Sequence, residues 1–247
     1  MRDELAHAYE FLARGDMGGT RVEDSPLGTA VYTDELPRRL DGNYLRVEHD
    51  AEPEELVAEA QRLERRVIFV PDPKLGEKLA PWFAEQGWRI DRNLVMAQLR
   101  EPERTADLSL VREVGEEALR PARRRLLAEH PWAEPEVVEQ LFQGRAVIAQ
   151  RVRVRCFGLP MDDEIVSYTD LYSDGPDAQI EDVGTLPEHR GRGYATAVVL
   201  AAAAAARSDG ADFVFLVADA EDWPKELYGK LGFDEVGYYT KFFTPPA

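Results

Sequence analysis

TLPEHRGRGYATAVVLAAAAAARSDG, from Thr185 to Gly210, joins a glycine-rich turn directly to a long apolar helix. Glycine and alanine at 191, 193 and 195 let a ligand approach the main chain closely. The first turn of a helix leaves amide N–H groups without an intrahelical acceptor. The positive end of the helix dipole lies at the same place, with Arg190 and Arg192 beside it, so the turn is suited to hold a pyrophosphate mainly by backbone. Other readings of the glycines fit less well. Thr196 stands where the dinucleotide fingerprint G-x-G-x-x-G wants its third glycine, and no G-K-[ST] follows for a P-loop. A connection serving packing alone has no use for two flanking arginines. The alanines 201–206 speak for helix propensity and close packing against a sheet, with no chemistry implied.

Around this stretch the sequence predicts an ordered series of elements. Upstream, Leu108 to Val114 reads as a first strand and Glu116 to Gln143 as one or two helices broken near Pro131 and Pro135. Ala146 to Leu159 and Ile165 to Tyr172 alternate as a hairpin across the charged turn PMDDE, and Ile180 to Leu186 is a central strand. Downstream come FVFLVAD (Phe213 to Asp219), a helical stretch from Glu221 to Phe233 and a closing strand to Phe243. Arg190-x-x-Gly193-x-Ala195 after the central strand, with Leu227-Tyr228-x-x-Leu231-Gly232-Phe233 after the next one, resembles the GCN5-related N-acetyltransferase (GNAT) family over about Asp107 to Phe243.

That resemblance implies an α/β (α+β) fold with a mixed, mostly antiparallel central sheet flanked by helices. It also implies acetyl-CoA as cosubstrate, no metal, and direct transfer to a primary amine without an acyl-enzyme. Carried over residue by residue, the backbone of Val183, Gly184, Thr185 and Leu186 would bond the pantetheine arm and thioester. Arg190, Gly191, Arg192, Gly193, Tyr194 and Ala195 would hold the pyrophosphate. An N–H near Thr185 or Leu186 would stabilise the oxyanion. A family bulge that splays this strand from its neighbour would fall at Gly184, because glycine inside a strand often marks a bulge or a close backbone approach. Tyr228 would protonate the leaving thiolate, and a carboxylate would take the proton of the amine. Glu181 is preferred, since in a regular strand it shares a face with Val183 and Thr185, with Asp182 and Asp170 as substitutes. Two departures bear on the cofactor. Glu221 stands where the family usually has an asparagine that bonds the pantetheine, and Pro224 replaces a small residue, which leaves Asp219 or Asp222 to cap that helix.

Composition bounds the rest. The chain has 247 residues, 44% of them apolar, enough for one large or two small packed domains. Its longest uncharged apolar run, Gly193 to Ala206, falls short of the roughly 20 residues of a membrane span. MRDELAHAYE carries charge where a secretory signal needs an apolar core. Cys156 is the only cysteine, so no intrachain disulfide forms, and a cytoplasmic location is expected. A net charge of −17 opposes binding to nucleic acid or an anionic membrane. The four histidines, His7, His49, His130 and His189, lack metal-ligand spacing.

A seam of charge and proline near Arg100 to Asp107 separates residues 1–104 from 105–247. Before it, Val67 to Leu99 repeats the strand, helix, Gly-aromatic, strand order of Phe213 to Phe243, with Gly87-Trp88 answering Gly232-Phe233 and the helix Pro53 to Arg65 answering the coenzyme helix. An internal duplication, two tandem GNAT-like domains, follows. The first copy differs where chemistry would sit. Asp50, Glu52, Glu54 and Glu55 surround the start of its helix and would repel a pyrophosphate, and Phe83 stands where the second copy has Tyr228, so the first copy is expected to be degenerate. Tandem organisation of this kind is similar to that of mycothiol synthases, which act on an aminosugar. From Cys156 to His189 no lysine or arginine offsets nine carboxylates, which favours a cationic small-molecule acceptor if they edge the cleft and a solvated acidic surface if they do not. A noncatalytic acyl-CoA sensor or scaffold is the alternative function, and the oligomeric state is left open.

Overall fold

The computed structural model describes residues 4–15 and 17–245. In chain order the elements are α1 (Glu4–Arg14), β1 (Arg21–Ser25), β2 (Gly28–Tyr32), β3 (Tyr44–Val47), α2 (Pro53–Arg62), β4 (Val67–Val70), α3 (Pro73–Glu85), β5 (Arg89–Gln98), β6 (Arg112–Val114), α4 (Glu116–Leu127), α5 (Pro135–Ile148), β7 (Arg153–Met161), β8 (Glu164–Asp174), β9 (Asp177–Thr185), α6 (Tyr194–Ser208), β10 (Phe213–Asp219), α7 (Pro224–Lys230) and β11 (Phe233–Phe243). They form a mixed, mostly antiparallel arrangement of strands flanked by helices, divided into two compact units. The first unit takes the chain up to Val95 together with Ala218–Asp222 and the residues from Glu235 onward; the second takes Met96–Val217 and Trp223–Asp234.

In the first unit β1, β2 and β3 are antiparallel neighbours, while β3 and β4 run parallel at Leu45↔Ile68 with α2 as the crossover. The partner of β4 on its other side is β11, antiparallel at Thr240↔Val70, so the chain's last strand completes this unit. β4 is the tetrapeptide VIFV, buried throughout, as expected of a strand paired on both edges and covered on its faces. α2 starts at Pro53, and the Glu55 carboxylate accepts the Glu52 amide at 3.2 Å. α3 starts at Pro73 after Asp72, whose carboxylate accepts the Lys74 amide at 2.9 Å. Both helices close over a core that contains Leu45, Leu56, Ile68, Leu79, Phe83 and Phe242. Phe83 stacks on Phe242 with ring centroids 4.2 Å apart and meets Trp82 and Trp88 edge-on. Shortening it to leucine removes most of that aromatic contact, so Phe83→Leu should lower stability by about 1 kcal/mol. Urea denaturation followed by tryptophan fluorescence measures this, and an unchanged midpoint would show that the stack carries no stability.

The second unit repeats the same motif on a longer scale. β6, β7, β8 and β9 are antiparallel neighbours, and β9 and β10 run parallel with α6 as the crossover. α6 buries Thr196, Ala197, Val198, Val199, Ala202, Ala203 and Ala206, so the alanine run provides a small-residue packing face. Two sequence expectations are corrected in this unit, and one is met. Leu108–Leu110 is a 3-10 turn, opened by the Asp107 carboxylate accepting the Ser109 amide at 3.0 Å, and only Arg112–Val114 is strand. The helical region is two helices, α4 and α5, as the prolines suggested: Pro131 lies in the break from Ala128 to Glu134 and Pro135 opens α5. Ala146 to Ile148, assigned to the hairpin, instead completes α5, because a short apolar run has no periodicity of its own and continues the helix that Pro135 starts. The hairpin strand begins at Arg153, and its turn places Asp162 and Asp163 at φ +48° and +68°.

Candidate active site

The glycine-rich turn lies where the sequence places it. A short 3-10 turn, Pro187–His189, leads from β9 to an exposed segment of Arg190, Gly191, Arg192 and Gly193. Gly191 (φ +74°) and Gly193 (φ +80°) are left-handed, and a methyl group added to either would meet no atom within 4 Å, so the space in front of this backbone is open. Gly193 is the N-cap of α6, and the first intrahelical bond runs from the Ala197 amide to the Gly193 carbonyl at 3.1 Å. The amides of Gly191 to Thr196 therefore find no protein acceptor among the described residues. Arg192 is exposed and has no ion-pair partner among the described residues. Arg190 folds back, its Nε donating to the Thr185 carbonyl at 3.1 Å and its Nη2 reaching Glu129 at 3.4 Å, which ties the turn to the end of β9 and to the segment after α4. Tyr194 and Ala195 form the half-buried first turn.

β9 departs from regularity just ahead of this turn. Its pairing with β8 jumps from Asp170↔Glu181 to Tyr168↔Gly184, two residues on β9 opposing one on β8. The bulge therefore sits at Asp182 and Val183, immediately before the glycine proposed for it. Asp182 carries the left-handed torsion (φ +52°), which aspartate tolerates better than most residues at a cost of about 1–2 kcal/mol. Gly184 serves the other purpose open to a strand glycine. The ring of Tyr168 lies against its Cα, and an added methyl group would come within 2.4 Å of Tyr168 Cζ.

Past the bulge, Ser167 and Thr185 are opposed, and the Leu186 amide donates to the Val166 carbonyl at 2.9 Å. This makes Ser167–Thr185 a non-hydrogen-bonded pair, in which the Thr185 N–H points away from β8. Of the two amides considered for an oxyanion, that of Leu186 is committed to the sheet and that of Thr185 is directed outward. The parallel ladder between β9 and β10 runs from Phe213↔Asp177 to Leu216↔Ile180 and ends there, so Glu181 to Thr185 lie beyond the paired part of β9.

The three candidate carboxylates have different surroundings. Glu181 is half-buried and accepts the Gln179 side-chain amide at 2.7 Å, while its carbonyl accepts the Thr169 hydroxyl at 2.8 Å. Asp182 accepts Arg123 Nε at 2.7 Å and lies 3.4 Å from Arg145 Nη1. Asp170 is fully enclosed and held by the same two guanidiniums, Arg123 at 2.6 Å and Arg145. The bulge also breaks the alternation that was to set Glu181 and Asp182 on opposite faces, so their roles follow from partners and not from parity. Sequence reasoning passed over Arg123 and Arg145. Arg123 lies within the run RPARRR, which reads as a solvated face, yet it is 2% exposed. The available signal was the absence of any cation between Cys156 and His189, since a buried carboxylate there has to be neutralised from another element. The acidic run is not one surface. Asp162 and Asp163 form a hairpin turn, Glu164 and Glu188 share Arg125, and Asp170 and Asp177 are buried.

Tyr228 projects from α7 into the interior, 7% exposed, with its ring edge-on to Phe233 at 6.5 Å. α7 begins at Pro224 after an N-cap Trp223 that has no side-chain cap. Asp219, considered for that cap, instead accepts the Glu221 amide at 2.8 Å. Among the described residues no group of His, Cys, Asp and Glu could hold a metal ion, and no helix is long and apolar enough to cross a membrane.

A crossover helix whose first-turn amides lack protein acceptors among the described residues follows a bulged strand whose parallel ladder stops short, an arrangement suited to an anion. Residues 117–233, a little under half of the chain, match the Acetyltransferase (GNAT) family model. No protein of curated function matches the sequence. Among solved structures, the chain is similar to a functionally unknown conserved protein from Staphylococcus epidermidis (13% identity, 94% of this chain and 96% of that one, TM-score 0.68). It is also similar to a GCN5-related N-acetyltransferase from Kribbella flavida (17% identity, 98% and 95%, TM-score 0.61). A third likeness is to a tandem GNAT protein from the clavulanic acid biosynthesis pathway (16% identity, 91% and 82%, TM-score 0.56). These likenesses concern the fold.

Proposed function

We propose that the second unit is an N-acetyltransferase that moves the acetyl group of acetyl-CoA directly onto a primary amine of a small molecule. The observation that carries this reading is the run of amides from Gly191 to Thr196, without protein acceptors among the described residues and opening at Gly191 and Gly193 onto space that no protein atom fills, which suits a pyrophosphate. Those amides, with Arg192, would grip the diphosphate, and the unpaired edge of β9 past Ile180 would bond the pantetheine arm. Acetyl-CoA supplies an activated thioester when bound. The Thr185 N–H would donate to the thioester oxygen as charge grows on it. Glu181 would take the proton of the amine, directly or through water, and the Tyr228 hydroxyl would protonate the departing thiolate. The first unit is proposed to be a degenerate GNAT-like copy without catalytic function. Phe83 is buried in its core, and the entrance to α2 is occupied by the Glu55–Glu52 contact and by Lys78 paired with Asp50.

Release of free thiol from acetyl-CoA across a panel of polyamines, aminosugars and peptide amino termini tests the reading. Turnover with at least one acceptor is expected. Binding of acetyl-CoA with no turnover across the panel would favour an acyl-CoA sensor, and absence of binding would remove both.

A further inference from the structure

Asp182 is the one non-glycine residue inside a described strand with left-handed backbone, and it is the residue on which β9 bulges. Three elements converge on its carboxylate or on the groups that hold it: α4 through Arg123, α5 through Arg145, and β8 through Asp170. Arg123 is 2% exposed and Asp170 wholly buried, so the pair can be kept only if each guanidinium and each carboxylate is answered. Two positive and two negative charges form the centre of this cluster. Around it stand Tyr168 on β8, whose phenol is pushed up by burial and further by Asp182, and Cys156 on β7, whose thiol is pushed up by burial against the pull of Arg123 and Arg145. Glu116, at the start of α4, lies 3.8 Å from Arg145 Nε.

We infer that this Arg123–Arg145–Asp170–Asp182 quartet is a positioning device, and that Asp182 acts through the β9 backbone and is not the group that deprotonates the amine. The Asp182 oxygen nearest the arginines is committed to both of them, whereas the torsion it stabilises decides where Val183, Gly184 and Thr185 present their amides. Without the clamp the strand would relax toward regular pairing, and the outward turn of the Thr185 N–H would no longer be enforced. The structural part of the inference stands alone; its kinetic consequence rests on the acetyltransferase reading.

The experiment compares Asp182→Ala, which loses both the clamp and tolerance of the left-handed torsion, with Asp182→Asn, which keeps an acceptor for the arginines and tolerates the torsion. Hydrogen exchange at Gly184 and Leu186 is read alongside the pH profile of kcat/KM. Asp182→Ala should speed exchange at both amides about tenfold while α6 stays protected, and lower kcat about tenfold with the calorimetric Kd for CoA within twofold. Asp182→Asn should recover most of the exchange protection and retain the acidic limb of the pH profile, a limb that Glu181→Gln abolishes. Loss of that limb in Asp182→Asn, or unchanged exchange in Asp182→Ala, would overturn the inference. If the unmodified chain neither binds CoA nor turns over, the functional reading fails and the exchange data alone decide the quartet.

Discussion

Gly193→Val should weaken acetyl-CoA binding about 100-fold or more while the chain remains folded. At φ +80° a β-branched residue is a genuine outlier, and the N-cap of α6 meets that strain in one of two ways. It keeps the left-handed torsion at a cost of about 1–3 kcal/mol, or it rotates out of it. Rotation changes the directions in which the amides of Gly193 and its neighbours point. A hydrogen bond from an amide to a charged oxygen contributes about 1.5–3 kcal/mol, so losing one or two matches a hundredfold, or about 2.8 kcal/mol. No clash with the protein contributes, because the added Cβ would meet no protein atom within 4 Å. The loss therefore reports the turn itself, through displaced amides and through a side chain standing in the space the diphosphate would occupy. Calorimetric titration with acetyl-CoA provides the number, and thermal unfolding shows that α6, whose buried face begins at Thr196, is still in place. Affinity equal to that of the unmodified chain would mean that these amides do not hold the diphosphate.

The part of the site that was legible in the sequence is the part whose chemistry is local. A turn with two left-handed glycines entering a helix depends on a few consecutive residues, and Gly191, Gly193 and the run of α6 appear in the sequence as they do in the structure. The strand-helix-strand repeat was legible for the same reason, and both β3–α2–β4 and β9–α6–β10 pair in parallel. What escaped notice depends on partners far along the chain. The bulge belongs to Asp182 because arginines 59 and 37 positions earlier hold it, and no local pattern distinguishes that aspartate from Glu181. Gly184, in contrast, advertised a special backbone position correctly but not which one, since a bulge and a close approach by a ring leave the same letter in the sequence. The pairing of β11 with β4 is invisible for a related reason. Its apolar residues satisfy any edge of matching register, and only the assembled ladder shows that the last strand completes the first unit.

Tyr228→Phe should lower kcat by about two orders of magnitude or more, within the range typical for loss of a general acid, and change the Kd for acetyl-CoA by no more than about twofold. The substitution deletes one oxygen and keeps the ring that packs edge-on against Phe233, so the contact that fixes α7 survives. A packing role and an acid role then separate cleanly. Were Tyr228 only part of the core, phenylalanine would replace it with little effect on either constant, as a buried phenyl ring does at Phe83 in the first unit, where it stacks on Phe242. Were the hydroxyl needed to seat the coenzyme, KM and Kd would rise together with kcat unchanged. Donation to the leaving thiolate predicts the remaining pattern, a fall in kcat and in kcat/KM by the same factor with binding intact, because the interaction exists only as the carbon–sulfur bond breaks. Steady-state kinetics on the acceptor identified from the amine panel, with calorimetry on the same preparations, distinguishes the three; an unchanged kcat would remove Tyr228 from the reaction and leave the thiolate to be protonated by water.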